Sequence, residues 1–474
     1  MRRSNIKISE KVKDIFSRIK ISDKAKKIIL KILFYLGLIG TVLFPIGLSI
    51  LLDEFWLTFT SVGWWLATIV VVVYILAMLY SIFLFFKYFF LMNRRPFGIK
   101  KVRNKFQTPA FLLLGTIITC FFVFLGPTWP RYDMHPHLSF TSDPATSITI
   151  SWYSTTAYEG SVDYGTSPSN LNLSAGDLGS VNQHEITLTG LEPNTTYYYK
   201  IENFDDTWSF KTASNDTEIL SIVAISDVHN QLYQPMVDDM VNEDPDFYLN
   251  AGDSADFGGW TYQWRDYFNQ ISPFATNYAI MSAVGNHDVF INGINNYYTY
   301  LAMPDDSGDE RYYYFKYNGV HFIVLDLEWG TETYTAAQKA WFEAKLAQVP
   351  DQDWLIIMNH CQYFSSGGYG TQSPMVNTFH QLFVDNDVDL VITGHEHHFE
   401  ILSVDNVTYA VIGNANSRLD HGDYPKDPNS IHYEKLLSGY SKITINGSEC
   451  TIEGNLYSNG VLSTTRTYTF DKTW

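Results

Sequence analysis

The stretch Leu220-Ser-Ile-Val-Ala-Ile-Ser-Asp-Val-His229 decides the fold. Its first six residues form an apolar run of strand length, and the run stops on serine, aspartate and histidine. A short apolar run bounded by polar residues reads as a strand buried on both faces. The same grammar recurs four times downstream. Phe247–Asn250 ends at Ala251-Gly252-Asp253-Ser-Ala-Asp256, and Ala279–Val284 ends at Gly285-Asn286-His287-Asp288. Trp354–Met358 ends at Asn359-His360, and Leu390–Ile392 ends at Thr393-Gly394-His395-Glu396-His397. Helical segments lie between these runs, among them Ala336–Gln348. Strands alternating with helices predict an α/β domain, and such domains build their sites at the carboxyl ends of the strands. After His398 the stretches Thr408–Ile412, Tyr440–Ile445 and Thr464–Phe470 read as strands that complete the sheets.

The polar clusters offer Asp, His and Asn, which are N/O donors suited to Mn, Fe or Zn. Taken singly they say little, because D-x-H is common and a lone His360 reads as a core histidine. Gly-Asn-His-Asp is rarer, expected on the order of 10⁻³ times per chain from average residue usage. All five clusters in this order resemble the motif order of calcineurin-like metallophosphoesterases, across about 220–415. The resemblance implies a β-sandwich flanked by helices that carries two divalent or mixed-valence metal ions (Fe, Mn or Zn). Asp227, His229 and His397 would hold one metal, and Asn286, His360 and His395 the other, with Asp253 bridging. His287 matches the family's non-ligand histidine facing the phosphate, as charge stabiliser or proton donor. Asp256 matches the carboxylate that hydrogen-bonds this histidine, so an Asp256–His287 pair is expected to raise the His287 pKa.

Upstream, 136–213 shows short strands separated by turns: Ser147–Trp152, Ser161–Tyr164, Glu185–Leu188, Thr196–Ile201 and Trp208–Lys211. Ile148, Ile150 and Trp152 alternate inward, which predicts a small β-sandwich. "SITISWYS", "SVDYG" and "LTGLEPNTTYYYKI" resemble the fibronectin-III-like N-terminal domain of purple acid phosphatases. One departure stands out. Where those enzymes carry a tyrosine ligand that gives their colour, this chain has Asp256, so a colourless protein is expected.

The remaining chain differs in charge. Residues 1–130 carry a net charge of +13 and residues 131–474 one of −31. Ile32–Leu52, Phe55–Phe86 and Phe106–Pro130 contain no charged residue. Such runs predict three transmembrane helices, about 32–52, 63–86 and 108–128. Basic residues crowd 1–31 and 93–107, whereas the first loop has only Asp53 and Glu54. The expected topology is a multi-pass cell-membrane protein with a cytoplasmic N-terminus and an extracytoplasmic catalytic part. The expected domains are 1–130 for the anchor, 131–215 for the sandwich and 216–474 for the metallophosphoesterase unit. The acidic outer part argues against nucleic-acid binding. Cys361 reads as a packing residue, a disulfide between Cys361 and Cys450 is open but has no support in the sequence, and no framework of disulfides is available with three cysteines in the chain. Asn-x-Ser/Thr patterns at Asn172, Asn194, Asn215, Asn406 and Asn446 are acceptors only in a glycosylating host. The expected activity is metal-dependent hydrolysis of a phosphomonoester, on a phosphorylated small-molecule or lipid-linked substrate. The alternatives are a phosphodiesterase or pyrophosphatase on a lipid-linked or nucleotide substrate, and a non-catalytic surface receptor. Arg418 and His421 read as surface residues, with reach to the substrate as the alternative.

Overall fold

Alternating apolar residues turn the first strands into a two-layer sandwich. The computed structural model describes residues 133–214, 219–416 and 418–472. In one layer Met134–Ser139, Ser147–Tyr158 and Val181–Thr189 pair antiparallel in that order. The other layer runs Leu173–Gly176, Ser161–Gly165, Thr196–Ile201, Trp208–Lys211. Ile148, Ile150 and Trp152 are buried between the layers as their alternation requires. The Trp152 indole N–H donates to the Tyr158 hydroxyl at 2.8 Å, and its ring stacks on His184 at 4.5 Å. Each such aliphatic side chain contributes about 1.5–3 kcal/mol by leaving water.

The α/β domain holds two further sheets. The first has the order Ile280–Ser282, Phe247–Asn250, Leu220–Ile225, Ser438–Asn446, Glu449–Ser458, Val461–Asp471. Its first three strands are parallel and nearly level, since Ile225 pairs with Asn250 and Asn250 with Ser282. The second has the order Tyr313–Tyr317, Val320–Val324, Leu355–Met358, Leu390–Thr393, Val407–Ile412, Phe399–Val404, Ser430–Glu434. In it Met358 pairs with Ile392, so two more strands end together. Phe247–Asn250, Leu355–Met358 and Leu390–Thr393 are buried at every position, which explains their unbroken apolar runs. The helix Ala336–Leu346 starts where the Thr335 hydroxyl accepts the Gln338 N–H at 3.1 Å. It buries Phe342 and Leu346.

The sandwich and the α/β domain share one core. The helix Thr261–Ala275 packs Phe268 against His137 of the sandwich, with ring centroids 4.5 Å apart. The Tyr199 hydroxyl donates to the Thr276 carbonyl at 2.6 Å, and the Ser214 N–H to Asn318 Oδ1 at 2.8 Å.

One expectation is corrected. Among the described residues no helix is long and apolar enough to cross a membrane. The described residues form an α/β domain with an N-terminal β domain, and the three expected transmembrane helices are not found among them. The three apolar runs, the basic segments, Cys120 and Asn215 lie outside the described residues. Cys361 and Cys450 are both buried free thiols. Burial, with Glu396 nearby, pushes the Cys361 thiol up to about 12, which suits a packing residue rather than a nucleophile.

Candidate metal centre

Five strand ends from the two sheets meet at one place. Leu220–Ile225, Phe247–Asn250 and Ile280–Ser282 bring Asp227, His229, Asp253 and Asn286 from one side. Leu355–Met358 and Leu390–Thr393 bring His360, His395 and His397 from the other. The chain bends sharply to do this. Asp227, His229, Asp253 and His395 all adopt positive φ, at 57°, 45°, 56° and 69°. Such conformations cost of order 1–3 kcal/mol each in non-glycine residues and collect at functional sites.

The donors fall into two groups around Asp253. In the first, His397 Nε2 lies 3.3 Å from Asp227 Oδ1 and 3.3 Å from His229 Nε2. In the second, Asn286 Oδ1 lies 3.0 Å from His360 Nε2 and 2.8 Å from His395 Nδ1. Asp253 Oδ2 stands between them, 3.6 Å from His229 Nε2 and 3.3 Å from His360 Nε2. Its Oδ1 is held by the His287 backbone N–H at 2.8 Å, so Oδ2 is the oxygen left to bridge.

Surrounding contacts aim the ligands. His360 Nδ1–H donates to the Ala251 carbonyl at 2.8 Å, which leaves Nε2 as the coordinating nitrogen. His397 Nδ1–H donates to the Arg418 carbonyl and has the same consequence. Asp227 Oδ2 accepts from the Ser226 hydroxyl at 2.8 Å and the His395 N–H at 2.9 Å. Asp227 Oδ1 is buried with no hydrogen-bond partner. An orphaned carboxylate oxygen facing two imidazoles is the donor a cation would take, so these residues fit a dinuclear site.

The electrostatics agree. Burial opposes charge on His229, but Asp227, Asp256 and Asp253 outweigh it and hold its pKa at about 9. Burial likewise opposes charge on His360, but Asp253 and Asp227 raise it to about 10. Burial and the neighbouring His360 push His395 down to about 4. Without cations, protons therefore occupy part of the centre.

Asp256 departs from expectation. Its carboxylate is gripped bidentately by Arg418, with Nη2 2.6 Å from Oδ2. His287 Nδ1 instead donates to the Asp256 backbone carbonyl at 2.7 Å, and stands 3.5 Å from Oδ1. The guanidinium fork matches both carboxylate oxygens and is always charged, so it takes the carboxylate ahead of an imidazole. The expected Asp256–His287 side-chain bond is thus replaced by an Asp256–Arg418 pair, and Arg418 belongs to the site's wall.

Three other contributors were not legible in advance. Asp288 is buried and accepts the backbone N–H groups of Asp253, Ala255 and Gly285 at 2.9, 3.1 and 3.0 Å, tying the second and third motifs together. Its only trace in the sequence is its place at the end of Gly-Asn-His-Asp. Trp329 and Tyr369 are 51% and 63% exposed, and both lie against His395, at 5.8 and 4.6 Å between ring centroids. They come from loops without a readable pattern.

Comparison with known proteins follows this geometry. Residues 220–399 match the calcineurin-like phosphoesterase family, and residues 134–213 match the purple acid phosphatase N-terminal domain. Purple acid phosphatase 21 of Arabidopsis thaliana is 26% identical over 230 residues, covering 46% of this chain and 52% of its own length. The probable purple acid phosphatase 20 of the same plant is 25% identical over 305 residues, covering 58% of this chain and 70% of its own length. The chain thus spans about half the length of the first of these relatives. A purple acid phosphatase from yellow lupin (Lupinus luteus) seeds superposes with a TM-score of 0.61 at 20% identity, covering 72% of this chain and 75% of that one. A structure of PhoD gives 0.59 at 11% identity, covering 72% and 92%. These likenesses show the fold. The two matches place a calcineurin-like phosphoesterase domain behind a purple acid phosphatase N-terminal domain.

Proposed function

We propose that the chain hydrolyses phosphomonoesters at this centre. The observation that carries the reading is the convergence of seven N/O donors into two groups sharing Asp253, with His287 beside them. Asp227, His229 and His397 would hold one cation, and Asn286, His360 and His395 the other. Two cations, when bound, supply Lewis acidity that activates water and offsets the charge of a phosphate. Neutral Asn286 adds a donor without adding negative charge, which keeps the site open to an anion. His287 is anchored through Nδ1–H to the Asp256 carbonyl, so Nε2 faces the substrate and, when protonated, donates to phosphate oxygen or to the leaving alkoxide. Arg418 neutralises Asp256, which would otherwise repel the substrate.

The test is turnover of a chromogenic monoester and diester by the purified full chain, loaded with metal and then treated with chelator. Monoester hydrolysis that chelator abolishes is expected. His287→Ala should keep both metals and lose turnover on the order of 10²-fold. Absence of turnover with two metals bound would sink the reading and favour a non-catalytic receptor.

A second reading concerns the leaving group. Trp329 and Tyr369 on one flank and the 50% exposed Phe290, 6.5 Å from the His287 ring, on the other offer faces to a planar group. That favours a nucleotide or aryl phosphate. Tyr369→Ala should raise KM for a nucleoside monophosphate and leave KM for a small aliphatic phosphate unchanged. On the charge partition of the sequence alone, we also place the catalytic part outside the cytoplasm. Protease treatment of intact cells tests this, and full protection of that part would refute it.

A further inference from the structure

The run His395-Glu396-His397-His398 divides by alternation. His395 and His397 join the metal centre. Glu396 and His398 fall in a different cluster, with Asp420, that the proposed reaction does not use. One ligand-capable atom from each of the three lies within 4.8 Å of the others.

The cluster is built, and its valences are open. His398 is fully buried. Its Nε2–H donates to Glu400 Oε2 at 3.1 Å, and Nδ1 is buried with no hydrogen-bond partner. Asp420 Oδ2 is likewise buried with no partner. Glu396 Oε1 accepts the N–H groups of Tyr369 and Gly370 at 2.7 and 2.8 Å, while Oε2 accepts one backbone N–H, that of Gly368 at 3.0 Å. Oε2 therefore keeps a free lone pair. Gly367 packs closely against the Glu396 carboxylate and His398 Cε1, where a Cβ would strike both. Among the described residues no lysine or arginine pairs with Glu396, Glu400 or Asp420, and nearby Lys435 is committed to Asp423 at 2.7 Å.

Carboxylates gathered around one imidazole away from solvent call for a positive charge. An imidazole whose second nitrogen is fixed by a carboxylate is also how proteins orient a metal ligand. We propose that Glu396, His398 and Asp420 bind a third divalent cation, separate from the dinuclear centre. One nitrogen and two carboxylate oxygens suit Zn²⁺ or Mn²⁺, whereas Ca²⁺ prefers an all-oxygen shell. The cation would act as a structural pin. Glu396 carries the loop that lays Tyr369 on His395, and the Asp420 N–H donates to the His397 carbonyl at 3.1 Å. One ion would thus fix two ligands of the centre and both loops beside it.

The experiment is Zn²⁺ reconstitution of the metal-stripped full chain, read by elemental analysis and by anomalous diffraction at the zinc edge. Three zinc ions per chain are expected in the parent, with one anomalous peak beside His398 Nδ1. Asp420→Asn and His398→Gln should each remove that peak and one equivalent, with folding verified by circular dichroism. Asp253→Ala should remove the other two and leave this one. A parent that binds one zinc, lost in Asp420→Asn, would support this site and defeat the dinuclear reading. A fully loaded parent with no peak beside His398 would overturn the proposal, since the pocket then holds water.

Discussion

Single residues at the centre are placed so that protons and metals compete. His229 and His360 carry pKa values of about 9 and 10 without metal, set by the surrounding aspartates against the opposing effect of burial. At neutral pH both imidazoles are protonated, and a cation must expel those protons. Metal affinity should therefore fall as pH falls. Calorimetry at pH 7 in buffers of different ionisation enthalpy should show release of about two protons per chain on loading, and a buffer-independent heat would contradict this. Asp253→Ala should lose both metals of the centre, because Asp253 Oδ2 stands between His229 and His360, one from each donor group. Colour belongs to the same scale. The position held by tyrosine in purple enzymes is Asp256, and Arg418 occupies that carboxylate. The iron-loaded protein should show no intense visible band. Arg418→Ala should free Asp256 to bond His287, so its pH–rate profile should move away from that of the parent. A superimposable profile would show that the pair has no influence on His287.

At the scale of elements, the parallel strands end level and the turns after them carry the ligands. Gly394 illustrates how tight those turns are. A Cβ there would collide with Ser226 Oγ and press on Asp227 Oδ2. The two sheets therefore approach each other through a glycine. Gly394→Ala should displace Asp227 and lower metal occupancy at least as much as it lowers the melting temperature. A variant with full occupancy and normal turnover would mean that the turn relaxes. Strand positions were readable because parallel strands buried on both faces are continuously apolar, as in Leu220–Ile225 and Leu355–Met358. The hairpin Tyr313–Tyr317 with Val320–Val324, and the strands Met134–Ser139 and Leu173–Gly176, were not. Tyr313–Tyr317 lies at a sheet edge, Val320–Val324 is buried throughout but its apolar run is broken by His321, and Leu173–Gly176 is largely exposed, so its side chains carry little pattern.

At the scale of the whole molecule, the sandwich and the catalytic unit are welded by a buried histidine. Burial drives the His137 pKa down to about 4, and neither ring nitrogen has a hydrogen-bond partner. Above its ordinary pKa the group is neutral folded and unfolded, so it adds no pH-dependent contribution to stability. As pH falls from 6.5 toward 4 only the unfolded chain takes the proton, and stability is lost progressively. At pH 5 the loss is about 2 kcal/mol. His137→Phe should keep the stack on Phe268 and narrow the gap in Tm between pH 7.5 and pH 5. An unchanged gap would place the acid lability elsewhere. The sequence by itself determined the α/β class, the N-terminal β domain and the ordered ligand motifs, because buried strands and metal donors each demand particular residue types at short spacing. Only the tertiary structure decided the partner of Asp256, the aromatic flanks of His395 and the cluster of Glu396, His398 and Asp420. Each of these joins residues from different loops, and local patterns carry no record of contacts made across 162 positions, as between Asp256 and Arg418.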